Sequence, residues 1–121
     1  MMKPARPTTL FELRDRLRRF SAERDWDQYH SPKNLASALI VETAELLERF
    51  QWLTEHESKS LPPGELSKVR EEMGDVLIYL VRLADKLDID LLEAAREKIE
   101  QNASKYPADK ARGNSRKYSE L

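Results

Sequence analysis

The sequence predicts an all-α protein, and three observations lead to that fold class. Apolar residues recur every three or four positions over four long segments, which places them on one face of an α-helix. Capping signals stand at the starts of three of these segments, and no useful length alternates apolar and polar residues as a strand would. Only 3 of the 121 residues are glycine, while 40% are hydrophobic and 36% charged, which is typical of amphipathic helices rather than of disorder.

The first two predicted helices are marked by their N-terminal residues. A capping box opens at Thr9, and the apolar spacing that follows continues to about Arg24. Ser31 and Pro32 are a favoured N-cap residue and a favoured first helical residue, and the second helix continues to about Leu53.

The third predicted helix contains the most apolar segment of the chain. A polar stretch at residues 55–64, with two prolines and a glycine at its end, predicts the longest loop before it. The helix then runs from about Glu65 to Leu87. Its segment Val76–Val81 is apolar on every side and must therefore be covered on every side. Four helices in one chain can barely do so, and we expect a second subunit to cover this segment.

The fourth predicted helix begins at Asp90, runs to about Ser104 and is stopped by Pro107. A basic, polar tail follows at residues 108–121. We expect one domain over residues 1–121, with a helical core at about 8–107, and a four-helix bundle whose core is completed by dimerisation.

Composition excludes several classes of function. The chain has no cysteine, which rules out disulfides, thiolate metal sites and thiol catalysis. A net charge of −1 disfavours nucleic-acid binding, including binding through the basic tail. No apolar run approaches the roughly 20 residues of a membrane helix, and Met1 to Pro7 has no apolar stretch behind it, unlike a secretory signal. We expect a cytoplasmic protein with no nucleic-acid or membrane partner.

Two carboxylate pairs carry the functional prediction. Glu42 and Glu45 are three residues apart on the second helix, and Glu72 and Asp75 on the third, so each pair shares one side of its helix. Glu42 stands where the apolar pattern expects leucine, and Asp75 directly precedes the apolar segment. Acids facing a core are costly to bury unless a cation neutralises them. Oxygen ligands alone favour Mg²⁺, with Mn²⁺ as a substitute, and suggest phosphate chemistry.

Two other interpretations compete with a magnesium site. A di-iron site of the ferritin type needs Glu-x-x-His on its helices, but His30 and His56 both fall outside the predicted helices. A non-catalytic helical interaction module would use the acids as surface charge and the segment Val76–Val81 as a partner-binding face.

Beyond the acid pairs, further motifs resemble a known family. Glu42-x-x-Glu45 with Glu72-x-x-Asp75 resembles the signature of the all-α nucleoside triphosphate pyrophosphohydrolases, the MazG-like group. Over about residues 10–121 the chain is similar to the dCTP pyrophosphatase branch of that group. The segments that carry this similarity are Glu23-Arg24-Asp25-Trp26, Pro32-Lys33-Asn34-Leu35, Phe50-Gln51-Trp52, residues 75–85, and Lys98-x-x-x-Asn102-x-x-Lys105-Tyr106-Pro107.

The resemblance implies an activity, an assembly and a set of site residues. The reaction would convert a nucleoside triphosphate and water to the monophosphate and pyrophosphate with Mg²⁺, and would clear dCTP or a modified pyrimidine deoxynucleotide from the pool. Members assemble as dimers, often paired into tetramers. Leu17 departs from the pattern, because that branch carries a histidine there. The implied metal ligands are Glu42, Glu45, Glu72 and Asp75; Trp26 and Trp52 would line the base pocket, and Lys98, Asn102 and Tyr106 would reach the phosphates or sugar.

Overall fold

Residues 6–121 are described by a computed structural model, and all regular secondary structure in that range is helical. The all-α prediction is therefore confirmed. In chain order the α-helices are α1 (Leu10–Glu23), α2 (Pro32–Glu48), α3 (Glu55–Ser58), α4 (Pro63–Lys86), α5 (Leu91–Lys105) and α6 (Ala108–Ala111), with 3-10 turns at Asp27–Tyr29 and Tyr118–Glu120. The N-terminal segment Met1 to Pro7, which the sequence distinguishes from a secretory signal, lies mostly outside the described residues.

Side-chain caps begin three of the four long helices where the sequence predicts them. Thr9, Ser31 and Asp90 each accept a hydrogen bond from the backbone N–H three residues later, at 3.1 to 3.2 Å. Each cap satisfies a backbone donor that has no partner inside the helix, and such caps contribute about 1 kcal/mol.

The region after α2 differs from its prediction in two ways. The helix ends at Glu48 rather than Leu53, because the backbone tightens into turns: Phe50 N–H donates to the carbonyl oxygen three residues back, at 2.9 Å. The predicted loop at 55–64 contains the single-turn helix α3. Thr54 caps it, accepting from the Glu57 backbone N–H at 3.1 Å while the Glu57 carboxylate accepts from Thr54 N–H at 2.9 Å.

A smaller correction concerns the start of α4. The helix α4 begins at Pro63, two residues earlier than predicted, because a proline is well suited to the first helical position. The basic, polar tail contains α6 and the turn Tyr118–Glu120.

The described chain forms two compact units, which divide between Asp88 and Ile89. In the first unit, α4 packs against both α1 and α2. The buried apolar side chains lie in this unit; they are Leu35, Val69, Val81 and Ala84. In the second unit, the Tyr106 and Tyr118 rings meet edge to face at a centroid distance of 6.2 Å.

Apolar side chains remain on the surface of α4. Within the segment Val76–Val81, Val81 is buried, but Leu77, Ile78 and Leu80 keep 36 to 40% of their surface exposed. The first unit alone therefore does not cover the segment on every side. Over residues 6–121, no helix has both the length and the apolar character that crossing a membrane requires.

Candidate active site

Packing of α2 against α4 brings three of the four predicted acids together. Glu42 and Glu45 come from α2 and Glu72 from α4, and one carboxylate oxygen from each lies within 4.8 Å of the other two. All three residues are half-buried. Asp75, almost one turn beyond Glu72, is exposed and is not part of this group. We call Glu42, Glu45 and Glu72 the carboxylate cluster.

The carboxylate cluster is electrostatically unsatisfied. Glu42 Oε2 and Glu72 Oε2 are both buried and have no hydrogen-bond partner in the described chain. Burial, followed by the neighbouring Glu45 carboxylate, raises the pKa of Glu42 above its usual value. The pKa of Glu72 is raised by the same causes in the same order.

One cation lies beside the cluster. Arg49, the C-cap of α2, approaches Glu72 with an Nη2–Oε1 distance of 3.8 Å. It opposes the rise in the pKa of Glu72 but does not reverse it. Three carboxylates and one guanidinium leave two formal negative charges in the cluster.

The donor set suits a hard divalent cation. Mg²⁺ is bound in proteins through a few carboxylate oxygens and keeps other positions for water and phosphate oxygens. The unpartnered oxygens of Glu42 and Glu72 are free to act as ligands, and a charge of +2 would balance the cluster. These three residues fit such an ion by their own chemistry.

A separate pocket of about 290 Å³ lies between α1, α4 and the segment after α1. Its size is near the lower end of the range for small-molecule sites, about 300 to 1,000 Å³. Trp26 forms part of its wall and packs edge to face against Phe20, at a centroid distance of 5.7 Å. We call it the Trp26 pocket. The lining consists of Leu13, Arg16, Leu17, Phe20, Trp26, His30, Ile78, Tyr79 and Arg82.

Leu17, the position that departs from the family pattern, is thus part of the wall of the Trp26 pocket. A leucine presents no hydrogen-bonding group. The polar groups available to a ligand there come from other residues of the lining, and His30 and Arg82 are two of them.

A partly buried ion network lies beside this pocket, and its long-range pairs could not be predicted from the sequence. Arg82 is only 3% exposed and donates through Nη2 to Asp27 Oδ1 at 2.7 Å. Its Nη1 lies 3.6 Å from Asp85 Oδ2. Asp85 also accepts from Arg18 Nε at 2.8 Å, and Asp27 from Lys86 Nζ at 3.2 Å. A spacing of three residues suggests a surface pair for Arg82 and Asp85, yet both side chains are buried.

The other four predicted site residues are exposed within their own units. Trp52 is 86% exposed in the turns after α2 and is not among the residues that line the Trp26 pocket. Lys98, Asn102 and Tyr106 belong to the second unit: the first two are exposed on α5, and Tyr106 is its C-cap.

Comparisons with known proteins agree with the predicted family. Residues 38–121 match the MazG-like family. The dCTP pyrophosphatase 1 of Homo sapiens is 47% identical over 115 residues, which cover 93% of this chain and 68% of that protein; the protein of the same name from Mus musculus is 44% identical over the same shares. A crystal structure of a pyrophosphatase from Archaeoglobus fulgidus superposes with a TM-score of 0.78 and 42% identity, covering 88% of this chain and 99% of that one.

Proposed function

The chain belongs to the MazG-like family, and on that basis we propose that it hydrolyses dCTP, or a modified pyrimidine deoxynucleoside triphosphate, in a Mg²⁺-dependent reaction. Its enzyme class, nucleoside triphosphate pyrophosphohydrolase, follows from the family and from its pyrophosphatase relatives. This result favours catalysis over the non-catalytic interaction module. The proposed reaction consumes one water, which attacks the α-phosphorus, and releases the monophosphate and pyrophosphate. Its role would be to remove unwanted nucleotides from the cytoplasmic pool.

The carboxylate cluster is the observation that carries this proposal. Glu42, Glu45 and Glu72, joined by the exposed Asp75 three residues further along α4, are the proposed ligands of Mg²⁺. When bound, the ion would neutralise phosphate charge and lower the pKa of an attacking water. The buried, unpartnered oxygens of Glu42 and Glu72 support this role because an acid cluster without a ligand to neutralise it costs folding free energy.

Substrate binding is proposed for five further residues. Trp26 lines a pocket of a size that suits a planar ring, and its indole can stack on a base. The assignments of Trp52, Lys98, Asn102 and Tyr106 rest on the resemblance to the family. We propose that the last three contact the phosphates or the sugar. The exposed indole of Trp52 is free to meet a substrate or a second subunit.

We propose a homodimer, which can pair further into a tetramer, as the active assembly. Exposed apolar residues on α4, including Leu77 and Leu80, and on α2, including Ile40 and Leu47, support this proposal. Removing such surface from water would contribute about 25 cal/mol per Å² of apolar area. We also propose that residues 1–121 act as one catalytic domain.

Turnover of a nucleotide panel tests the proposed function. Purified protein is incubated with the four canonical dNTPs and with methylated, hydroxymethylated and oxidised pyrimidine analogues, with Mg²⁺ or with EDTA. We expect monophosphate and pyrophosphate in equal amounts, fastest from a pyrimidine and absent with EDTA. Glu72→Gln should abolish turnover, whereas Glu71→Gln, which changes the exposed neighbouring acid, should not. Turnover that EDTA or Glu72→Gln leaves unchanged would exclude the proposed metal site.

A further inference from the structure

Arg49 borders both the carboxylate cluster and a second pocket. It follows Glu42 by seven residues and Glu45 by four, spacings that place all three side chains on one side of α2. Its Nη2 lies 3.8 Å from Glu72 Oε1, which is within ion-pair range but longer than a hydrogen bond. Its Nε is buried and has no partner in the described chain. Attraction between charges, rather than a hydrogen bond, therefore connects the guanidinium to Glu72.

The second pocket has a volume of about 450 Å³ and lies between the end of α2, α3 and the start of α4. We call it the Arg49 pocket. Both acids in its lining already have partners: Glu57 accepts from Thr54 N–H at 2.9 Å, and Glu65 lies 3.3 Å from Lys68 Nζ. The side chain of Arg49 is 33% exposed. The pocket therefore gives its guanidinium room to meet a ligand beside the cluster, with both lining acids occupied elsewhere.

The charge of Arg49 acts in opposite directions on a metal ion and on a triphosphate. A guanidinium stays protonated in proteins, so it repels a divalent cation bound to Glu72 and competes with that cation for the carboxylate. A triphosphate is strongly negative and remains so with one Mg²⁺ bound. It therefore attracts a guanidinium, whose planar donors match phosphate oxygens. The unpartnered Nε–H of Arg49 is available for such a hydrogen bond.

We propose that Arg49 couples the binding of metal to the binding of nucleotide. It weakens the binding of Mg²⁺ alone and strengthens the binding of Mg²⁺ together with a triphosphate, whose phosphate oxygens accept from its guanidinium. The proposal rests on the proposed function for the identity of the ligand as a nucleoside triphosphate. Metal and nucleotide then bind cooperatively, because the nucleotide brings the negative charge that offsets the repulsion between Arg49 and the metal.

Titration calorimetry of Arg49→Met measures both effects without turnover. The dissociation constant for Mg²⁺ alone should fall about fivefold, the upper range for a partly exposed ion pair. The nucleotide probe is the dCTP analogue with an imido bridge between its α and β phosphorus atoms. Its dissociation constant, measured with saturating Mg²⁺, should rise about tenfold, as expected for a lost hydrogen bond to a charged group. A merely structural role of Arg49 would not give opposite signs, because a loosened site weakens both ligands.

Arg70→Met is the matched control. Arg70 is exposed and precedes Glu72 by two residues, which places it on another side of α4. Its loss changes the net charge equally, and both dissociation constants should stay within about twofold of the wild type. Arg49→Lys keeps the charge and should retain the wild-type affinity for Mg²⁺ alone. Effects of the same sign in Arg49→Met, or equal effects in Arg70→Met, would overturn the proposal.

Nitrogen NMR of the wild type decides the matter if Arg49→Met does not fold. In protein labelled with ¹⁵N at arginine, the Nε–H signal of Arg49 is identified by its loss in Arg49→Lys. Adding Mg²⁺ and the imido analogue should shift this signal, because the unpartnered Nε–H gains an acceptor. The signal of the exposed Arg70 should stay in place. An Arg49 signal that the analogue leaves unmoved would refute contact with the phosphates.

The outcomes separate this proposal from the proposed function. If the wild type hydrolyses dCTP and Arg49→Met binds both ligands as the wild type does, the coupling is excluded and the proposed function stands. If no triphosphate is hydrolysed but Arg49→Met changes the two dissociation constants in opposite directions, the coupling is supported and the proposed function fails. A wild type that binds neither Mg²⁺ nor the analogue would exclude both.

Discussion

Glu42→Gln is expected to remove activity and yet stabilise the metal-free protein. The amide keeps the size of the side chain but loses the charge that would bind a metal ion. Turnover should fall more than about 100-fold, the upper range seen when a group that only supports a metal ligand is removed. In the absence of metal, the same change relieves repulsion from Glu45 and Glu72, whose oxygens lie within 4.8 Å.

The size of the stabilisation follows from Coulomb's law. Two unit charges at the separation of Glu42 and Glu45, up to 4.8 Å, repel by about 3 kcal/mol at an effective dielectric constant of 20 and by about 1 kcal/mol in water. Glu42 is half-buried and screened by solvent, so the lower figure applies. A gain of about 1 kcal/mol corresponds to a Tm increase of about 4 °C for a domain of this size.

The sign of the pH dependence is also determined. Because the pKa of Glu42 is raised in the fold, its destabilising charge is fully present above that pKa. As pH falls through the raised pKa, the wild type takes up the proton and recovers stability. The advantage of Glu42→Gln should therefore shrink as the pH is lowered toward the usual pKa of a glutamate.

Thermal unfolding with EDTA and with saturating Mg²⁺ measures both effects. A Mg²⁺ concentration of 100 times the dissociation constant should stabilise the wild type by about 2.7 kcal/mol and raise its Tm accordingly. The Tm of Glu42→Gln should rise far less. Glu71→Gln, an exposed acid on α4, should behave as the wild type. The reasoning would be refuted by a Glu42→Gln protein that is less stable than the wild type in EDTA, or one that Mg²⁺ stabilises equally.

Three further predictions address other parts of the molecule. Asp75→Asn should reduce turnover strongly but change the metal-free Tm by less than Glu42→Gln does, because Asp75 is exposed; equal Tm gains would contradict this. The guanidinium of Arg18 lowers the pKa of Asp85, so this ion pair stabilises the fold above pH about 4 and stabilises it less as the pH falls below that value. The free energy of unfolding of Arg18→Met should therefore be lower than that of the wild type at pH 7, and the two values should converge at low pH. Leu77→Asp should lower the mass measured by light scattering to that of a monomer, and an unchanged mass would show that α4 is not at an interface.

Helix starts were predictable from the sequence because they depend on local chemistry. Thr9, Ser31 and Asp90 satisfy backbone donors only three residues away, so a short window contains the signal. The capping box at Thr54 is the same signal, yet the polar composition of 55–64 favoured a loop. The end of α2 at Glu48 carries no such mark, since neither a glycine nor a proline follows it.

The candidate site was predictable where a residue contradicts its helix pattern. Glu42 occupies an apolar position of α2, and that conflict by itself indicates an acid that needs a cation. The Arg82 network offers no comparable local sign, because its partner Asp27 lies 55 residues earlier and His30 lies 52 earlier. Only the packing of α4 beside the 3-10 turn joins them.

The two groups of charged side chains differ in whether their carboxylates are compensated by nearby cations, and this difference supports different roles for them. Around Arg82, each of the two carboxylates has two cationic partners, so both acids are compensated without any ligand. In the carboxylate cluster, Arg49 alone among the described residues faces three acids, and two buried oxygens have no partner there. Burying uncompensated charge costs stability, and such a cost is tolerated where a bound ion later offsets it. The carboxylate cluster is therefore the group that a cation should complete, whereas the acids around Arg82 are already balanced by side chains of the chain itself.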